Sequence, residues 1–190
     1  MLYTNEETVQ KEPANNEHAT HPCFDKKASH DYGRIHLAVA PKCNIQCNYC
    51  DRKFDCINES RPGVTSKVLK PDEALAHFEK AISLEPRIRT IGIAGPGDPF
   101  ANPEKTLSSI EKISSKYPGL NYCLSTNGLD AKPYLKEAVD LGVKYLTVTL
   151  NAVDVYILEK IYSWVRYNKI RYTGLEGAQI LLENQIKTIE

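Results

Sequence analysis

Three cysteines, Cys43, Cys47 and Cys50, fall within eight residues of the stretch VAPKCNIQCNYCDRKFDC (39–56), and Cys56 follows closely. Thiolates are ligands for zinc and for iron–sulfur clusters. Structural zinc takes four protein ligands, usually as two CxxC pairs, whereas the close set here is CxxxCxxC, with three. A cubane normally uses four thiolates. Three would leave one iron open to chelate the amino and carboxylate groups of a substrate. Spacing alone leaves two readings: a cluster with one uncapped iron, or a zinc knuckle completed by Cys56.

The bulk properties limit where such a loop can act. The chain has 190 residues, 42% hydrophobic and 25% charged, as expected of one globular domain with a sizeable core. Lys and Arg total 24, matching 24 Asp and Glu. That balance gives no basic footprint for nucleic acid or an anionic membrane. Residues 1–20 are polar, lack an apolar run and read as a flexible tail rather than a signal peptide. Residues 21–190 form the domain, and no stretch has transmembrane length. A cytoplasmic setting follows, where clustered thiols stay reduced and bind metal more often than they pair.

The cysteines must be positioned by regular elements, and the apolar pattern supplies them. RIHLAVAP (34–41), TIGIAG (90–95), LNYCLSTN (120–127) and VKYLTVTLN (143–151) read as buried strands. Between them run helical patterns: 70–84 with Ala74, Leu75, Phe78, Ala81 and Ile82, a helix from Asn102–Pro103 with Leu107, Ile110 and Ile113, and one with Leu135, Ala138, Val139 and Leu141. Two further helices are predicted over 154–166 and 174–190, the last with Ala178, Leu181, Leu182, Ile186 and Ile189 on one face. Alternating strand and helix implies parallel strands with right-handed crossovers, an α/β fold. Strand alternation puts Leu146, Val148 and Leu150 under the helices. Opposite lie Thr147, Thr149 and Asn151, with Asn121, Cys123, Ser125 and Asn127 on the third strand and His36 on the first. One polar face shared by three strands describes a cavity, with the cysteine loop at the strand ends where such sheets place ligands.

At this point the chain resembles the radical S-adenosylmethionine (SAM) enzymes, in which CxxxCxxC after the first barrel strand holds a 4Fe–4S cluster and the open iron binds SAM. The resemblance implies Cys43, Cys47 and Cys50 as cluster ligands and Tyr49 beside the adenine. GIAGPGDP (92–99) resembles the segment that receives the SAM methionine, with Gly95 and Gly97 allowing close backbone approach and Asp98 the expected acid. STNG (125–128), with Ser125, Thr126 and Asn127, and TLN (149–151), with Thr149 and Asn151, stand where the family contacts ribose and carboxylate. The fold implied is a partial TIM-like (β/α) barrel, cut after about four βα units.

HPC (21–23), YGRIHLAVAPKCNIQCNYC (32–50), DCINESRPG (55–63) and LSTNG (124–128) resemble the NifB-like branch of that family. The resemblance implies fusion of two 4Fe–4S clusters, with a SAM-derived carbide and an extra sulfur, into the precursor of the nitrogenase cofactor, as a lyase or transferase. It also implies Cys23, His36, Cys56 and Cys123 as ligands of auxiliary 4Fe–4S clusters. Glu59 and Arg61 would contact cluster sulfide or relay a proton. The partners implied are SAM, a reductant protein and iron–sulfur donor or cofactor-carrier proteins. NifB-like proteins carry two later cysteines, whereas none follows Cys123 here; the chain is therefore expected to be the front part of a longer barrel. Another radical SAM enzyme, an activase or cofactor synthase, or a non-catalytic iron–sulfur or zinc protein are the alternatives.

Overall fold

The computed structural model describes residues 21–51, 56 and 67–190. A short helix α1 (Ala28–Asp31) leads into β1 (Gly33–His36), and β2 (Ile45–Cys47) lies within the cysteine loop. Then come α2 (Pro71–Leu84), β3 (Ile88–Ile93), α3 (Pro103–Lys116), β4 (Asn121–Thr126), a 3₁₀ turn (Lys132–Tyr134) with α4 (Leu135–Asp140), and β5 (Val143–Val148). Strands β1, β3, β4 and β5 form one parallel sheet in the order β1-β3-β4-β5. Each crossover carries a helix, as the alternating pattern requires. The result is an α/β fold consistent with part of a TIM-like barrel.

Helix α2 starts where its sequence permits. Pro71 occupies the first turn, where no N–H is needed, and the Glu73 carboxylate accepts the Lys70 N–H at 2.8 Å. Its Ala74 and Phe78 are fully buried, as are Ile110 and Ile113 of α3. These side chains meet Leu37, Ile91, Tyr122 and Leu124 from the sheet in one core. Full burial of a side chain such as Phe78 contributes roughly 1.5–3 kcal/mol. The opposite sheet face is left for chemistry.

The predicted elements need four corrections. The first strand stops at His36. The chain then turns, and Ala40 rejoins the sheet through a single bridge to Pro96. The second concerns 154–166, where helix α5 (Val155–Ile161) covers only the first half. It gives way to an antiparallel hairpin of β6 (Tyr162–Tyr167) and β7 (Ile170–Tyr172), followed by α6 (Gly174–Ile189). Asn168 and Lys169, at φ 49° and 68°, make the two-residue turn. Such left-handed pairs match the twist of hairpin strands, and the alternation in YSWVRY was the available signal. Tyr162, Tyr167 and Tyr172 therefore sit on strands.

The third correction concerns helix faces: Val139, Ile186 and Ile189 are exposed. In α6 the buried face instead runs Gly177, Ala178, Leu181, Gln185 and Thr188. Fourth, Leu150 lies past the end of β5 and is exposed rather than under a helix. A second core joins Ile45, Leu158, Tyr162, Val165, Ala178 and Leu181 under the hairpin. Among the described residues no helix is long and apolar enough to cross a membrane. Residues 1–20 lie outside them.

Candidate functional site

The cysteine loop is held by backbone, not by its thiols. Within it β2 pairs antiparallel with β6, setting Gln46 opposite Trp164 and Cys47 opposite Tyr162. The Arg166 N–H donates to Asn44 O at 2.7 Å and the Asn48 N–H to Ile161 O at 2.8 Å. The Asn48 side-chain amide donates to Lys160 O at 2.7 Å. On the other flank the Gly97 N–H donates to Ala40 O at 2.7 Å and the Asp98 N–H to Lys42 O at 2.8 Å. A Cβ on Gly97 would lie 2.0 Å from Lys42 O. The freedom at Gly97 thus serves contact between the two loops, whereas the sequence suggested approach by a ligand.

These sutures surround a cavity of about 30 Å³ that is open to solvent. Its wall includes Cys43, Cys47, Tyr49 and Cys50 from the loop and Pro96, Gly97 and Asp98 after β3. Ser125, Thr126 and Asn127 come from the end of β4, Thr149 from the end of β5, and Cys56 joins the same wall. Gly95 and Asn151 are not among the lining residues. Asn151 instead donates to the Tyr49 hydroxyl at 2.5 Å and the Tyr162 hydroxyl at 2.9 Å, tying the hairpin to the loop. Burial pushes the Tyr162 hydroxyl pKa up.

Asp98, 4% exposed, knots β3 to β4. Its carboxylate accepts the Thr126 hydroxyl at 2.9 Å, the Asn127 N–H at 2.6 Å and the Phe100 N–H at 2.9 Å. Burial pushes its pKa up to about 6 although these hydrogen bonds pull the other way. Burial likewise raises Asp130, against the Asn44 amide. The sign of the stability effect follows from proton count. Between the unfolded value near 4 and the folded value near 6, the native state holds the proton that the unfolded chain has lost. The group therefore makes stability fall as pH rises through that window, by about 3 kcal/mol in all. Asp98→Asn is expected to be less stable at every pH yet to lack this component of the slope, as urea titrations at pH 4, 5, 6 and 7 would show. An unchanged slope would refute the assignment.

Four residues that the sequence reading missed, Asn44, Asp130, Gln185 and Thr188, position the cavity's polar wall. The Asn127 amide donates to Asn44 Oδ1 at 2.6 Å and approaches Cys43 Sγ at 3.6 Å, while the Asn44 amide donates to Asp130 at 2.8 Å. Gln185, fully buried on α6, donates to the carbonyls of Asn127 and Thr149 at 2.9 and 2.8 Å. The Thr188 hydroxyl donates to Gly128 O at 2.8 Å. The spacing of Gln185 and Thr188 from Ala178 and Leu181 was the missed signal, since polar residues on a buried stripe need partners.

Of the remaining candidates, His36 and Cys123 lie on β1 and β4, outside the lining of the cavity. In register, His36 and Cys123 flank Gly92 across three strands, about 10 Å apart by strand spacing. A Cβ on Gly92 would lie 2.4 Å from the Arg34 guanidinium, so the missing side chain makes room for Arg34 there. A glycine inside a strand signals such an approach. His36 Nε2 accepts the Ala94 N–H at 3.2 Å, so a metal on that nitrogen would displace this bond. Cys123 is buried and Cys23 exposed. His21 is fully buried against Phe24 and Tyr145, and its Nδ1 accepts the Cys23 N–H at 3.2 Å. Glu59 and Arg61 lie outside the described residues.

The donor set is three thiols on one wall, the ligand type of iron–sulfur clusters. Among the described residues no three His, Cys, Asp or Glu side chains converge on a single-ion site. The thiols of Cys43, Cys47 and Cys50 instead share one cavity wall, facing polar groups from the ends of β3, β4 and β5.

A profile of the radical SAM superfamily matches residues 37–186. The chain is 55% identical over 170 residues to the FeMo cofactor biosynthesis protein NifB of Chlorobaculum tepidum, covering 90% of this chain and 40% of that protein. Identity to the protein of the same name from Frankia alni is 49% over 168 residues, covering 88% and 33%. For that of Klebsiella pneumoniae it is 44% over 171 residues, covering 90% and 36%. The chain thus spans two-fifths or less of these relatives.

Proposed function

The chain belongs to the radical SAM superfamily, and from that premise we propose that Cys43, Cys47 and Cys50 hold a 4Fe–4S cluster whose uncapped iron takes SAM. The observation that carries this is the single cavity bounded by those thiols and by the ends of β3, β4 and β5. When bound, cluster and SAM together supply reductive C–S cleavage and hence hydrogen-atom abstraction.

The chain's own residues hold and orient. The Asn127 side-chain amide, held by Asn44 Oδ1 on a main chain that Gln185 anchors, directs N–H toward Cys43 Sγ. Ser125, Thr126 and Thr149 present polar groups opposite the loop, and Tyr49, braced by Asn151, offers a ring for the adenine. Asp98 holds the β3 and β4 ends together, with Gly95 in the same segment.

The similarity to NifB proteins supports a finer reading. We infer that the protein fuses two 4Fe–4S clusters, as substrates, with a SAM-derived carbide and an added sulfur into the precursor of the nitrogenase cofactor. Cys23, His36, Cys56 and Cys123 are the proposed ligands to those clusters, with Glu59 and Arg61 assisting sulfide or proton transfer. A reductant protein, an iron–sulfur donor and a cofactor carrier are the proposed partners, in the cytoplasm, where these thiols stay reduced. The test is anaerobic reconstitution with iron and sulfide, then dithionite reduction. SAM is expected to change the paramagnetic resonance spectrum and to yield 5′-deoxyadenosine, and label from methyl-labelled SAM should enter the iron–sulfur material. A spectrum indifferent to SAM would overturn the first reading; unlabelled iron–sulfur material would overturn the second.

A further inference from the structure

The hairpin that anchors the cysteine loop carries an unusual charge pattern. Residues 160–173, KIYSWVRYNKIRYT, contain four cations and no carboxylate, in a chain whose charges cancel overall. Arg166 and Arg171 are directly opposite each other on β6 and β7. Like charges placed across a ladder destabilise it, so this pair does not serve the hairpin's own stability. Both guanidinium groups lie over the same indole, Trp164, at 5.9 and 5.0 Å from its centre. Both arginines are exposed, as are Lys160 and Lys169. Among the described residues none of the four forms an ion pair. Arginine stacked on an aromatic ring is a composition favoured at protein interfaces.

The location gives this patch its meaning. Trp164 is opposite Gln46, which lies between Cys43 and Cys47 in sequence, and the Arg166 N–H is bonded to Asn44 O. The basic surface is thus one strand away from the thiols. We propose that the outer face of the β6–β7 hairpin, centred on Arg166, Arg171 and Trp164, is the docking surface for an acidic one-electron carrier protein. This rests on the cluster reading above. The carrier loses one electron and the metal centre on the cysteine loop gains it, with no bond made or broken. Complementary charge supplies steering and orientation, and the β2–β6 ladder gives a short covalent and hydrogen-bonded path inward.

The test measures binding directly. The full chain is titrated with an acidic flavodoxin and, separately, an acidic 4Fe–4S ferredoxin, by calorimetry at low salt and at about 0.2 M salt. At least one carrier is expected to bind, more weakly at the higher salt. R166E/R171E should weaken binding by about tenfold or more, R166K/R171K should largely retain it, and K80E/K105E on the helical side should leave it unchanged. Circular dichroism checks the fold of each variant. Absence of binding by either carrier to the unmodified chain, or equal binding by R166E/R171E, overturns the proposal. So does an effect of R166E/R171E confined to a single-stranded oligonucleotide probe, which would make the face a nucleic-acid site. Dithionite-driven SAM cleavage separates the two readings, because a small reductant needs no docking. Its absence with carrier binding intact counts against the cluster. Its presence in the unmodified chain without carrier binding counts against the docking face alone.

Discussion

Replacing Cys43 or Cys50 with alanine is expected to leave a folded protein that can neither complete its cluster nor cleave SAM. The fold should survive because the loop is fixed by main-chain and amide bonds: β2 to β6, Asn48 to Ile161 and Lys160, and Gly97 and Asp98 to Ala40 and Lys42. Cys47 differs, being 8% exposed within the second core, so its replacement also costs packing. Chemistry should suffer far more than stability. Losing a group outside the ligand shell typically costs 10–100-fold, and losing a direct thiolate ligand is expected to exceed that range. Iron and sulfide analysis, the spectrum with and without SAM, and 5′-deoxyadenosine yield would measure it, with thermal unfolding as the control. A Cys43→Ala protein with full iron content and an intact response to SAM would show that the cluster sits elsewhere.

Gly97→Ala should damage the site from the other side. Its Cβ would fall 2.0 Å from Lys42 O and 2.2 Å from Lys42 C, and neither backbone atom can rotate away. The two loops must separate, which breaks the Gly97–Ala40 and Asp98–Lys42 hydrogen bonds. Overpacking of this kind costs about 1–3 kcal/mol, and each lost hydrogen bond adds about 1 kcal/mol. A total of about 3–5 kcal/mol would lower the melting temperature by roughly 6–20 °C in a chain of this size. Gly119→Ala is the control. Gly119 has φ 86° with nothing within 4 Å of an added Cβ, so only conformational strain is introduced there, about 1–2 kcal/mol. Equal stability of the two variants would mean that the loops are not sutured at Gly97.

The polar face and the helix-covered face were legible because they depend on period alone. Alternation in LNYCLSTN separates Tyr122 and Leu124, which enter the core, from Cys123 and Ser125, and no tertiary fact is needed to see it. The helices around Phe78 and Ile110 follow for the same reason. The hairpin was misread because IYSWVRY also satisfies a helical pattern after α5. What decides its state is a partner strand, β2, more than a hundred residues earlier in the chain.

The cysteine spacing by itself determined that three thiols share one loop, and the strand alternation determined which sheet face that loop overlooks. The tertiary structure alone decided how the loop is supported: by Gly97 against Lys42, by Asn44 and Gln185 on Asn127, and by the hairpin that pairs with β2. Spacing fixes which ligands neighbour one another along the chain. Support comes from groups distant in sequence, whose hydrogen bonds exist only once burial has removed water as the competing partner.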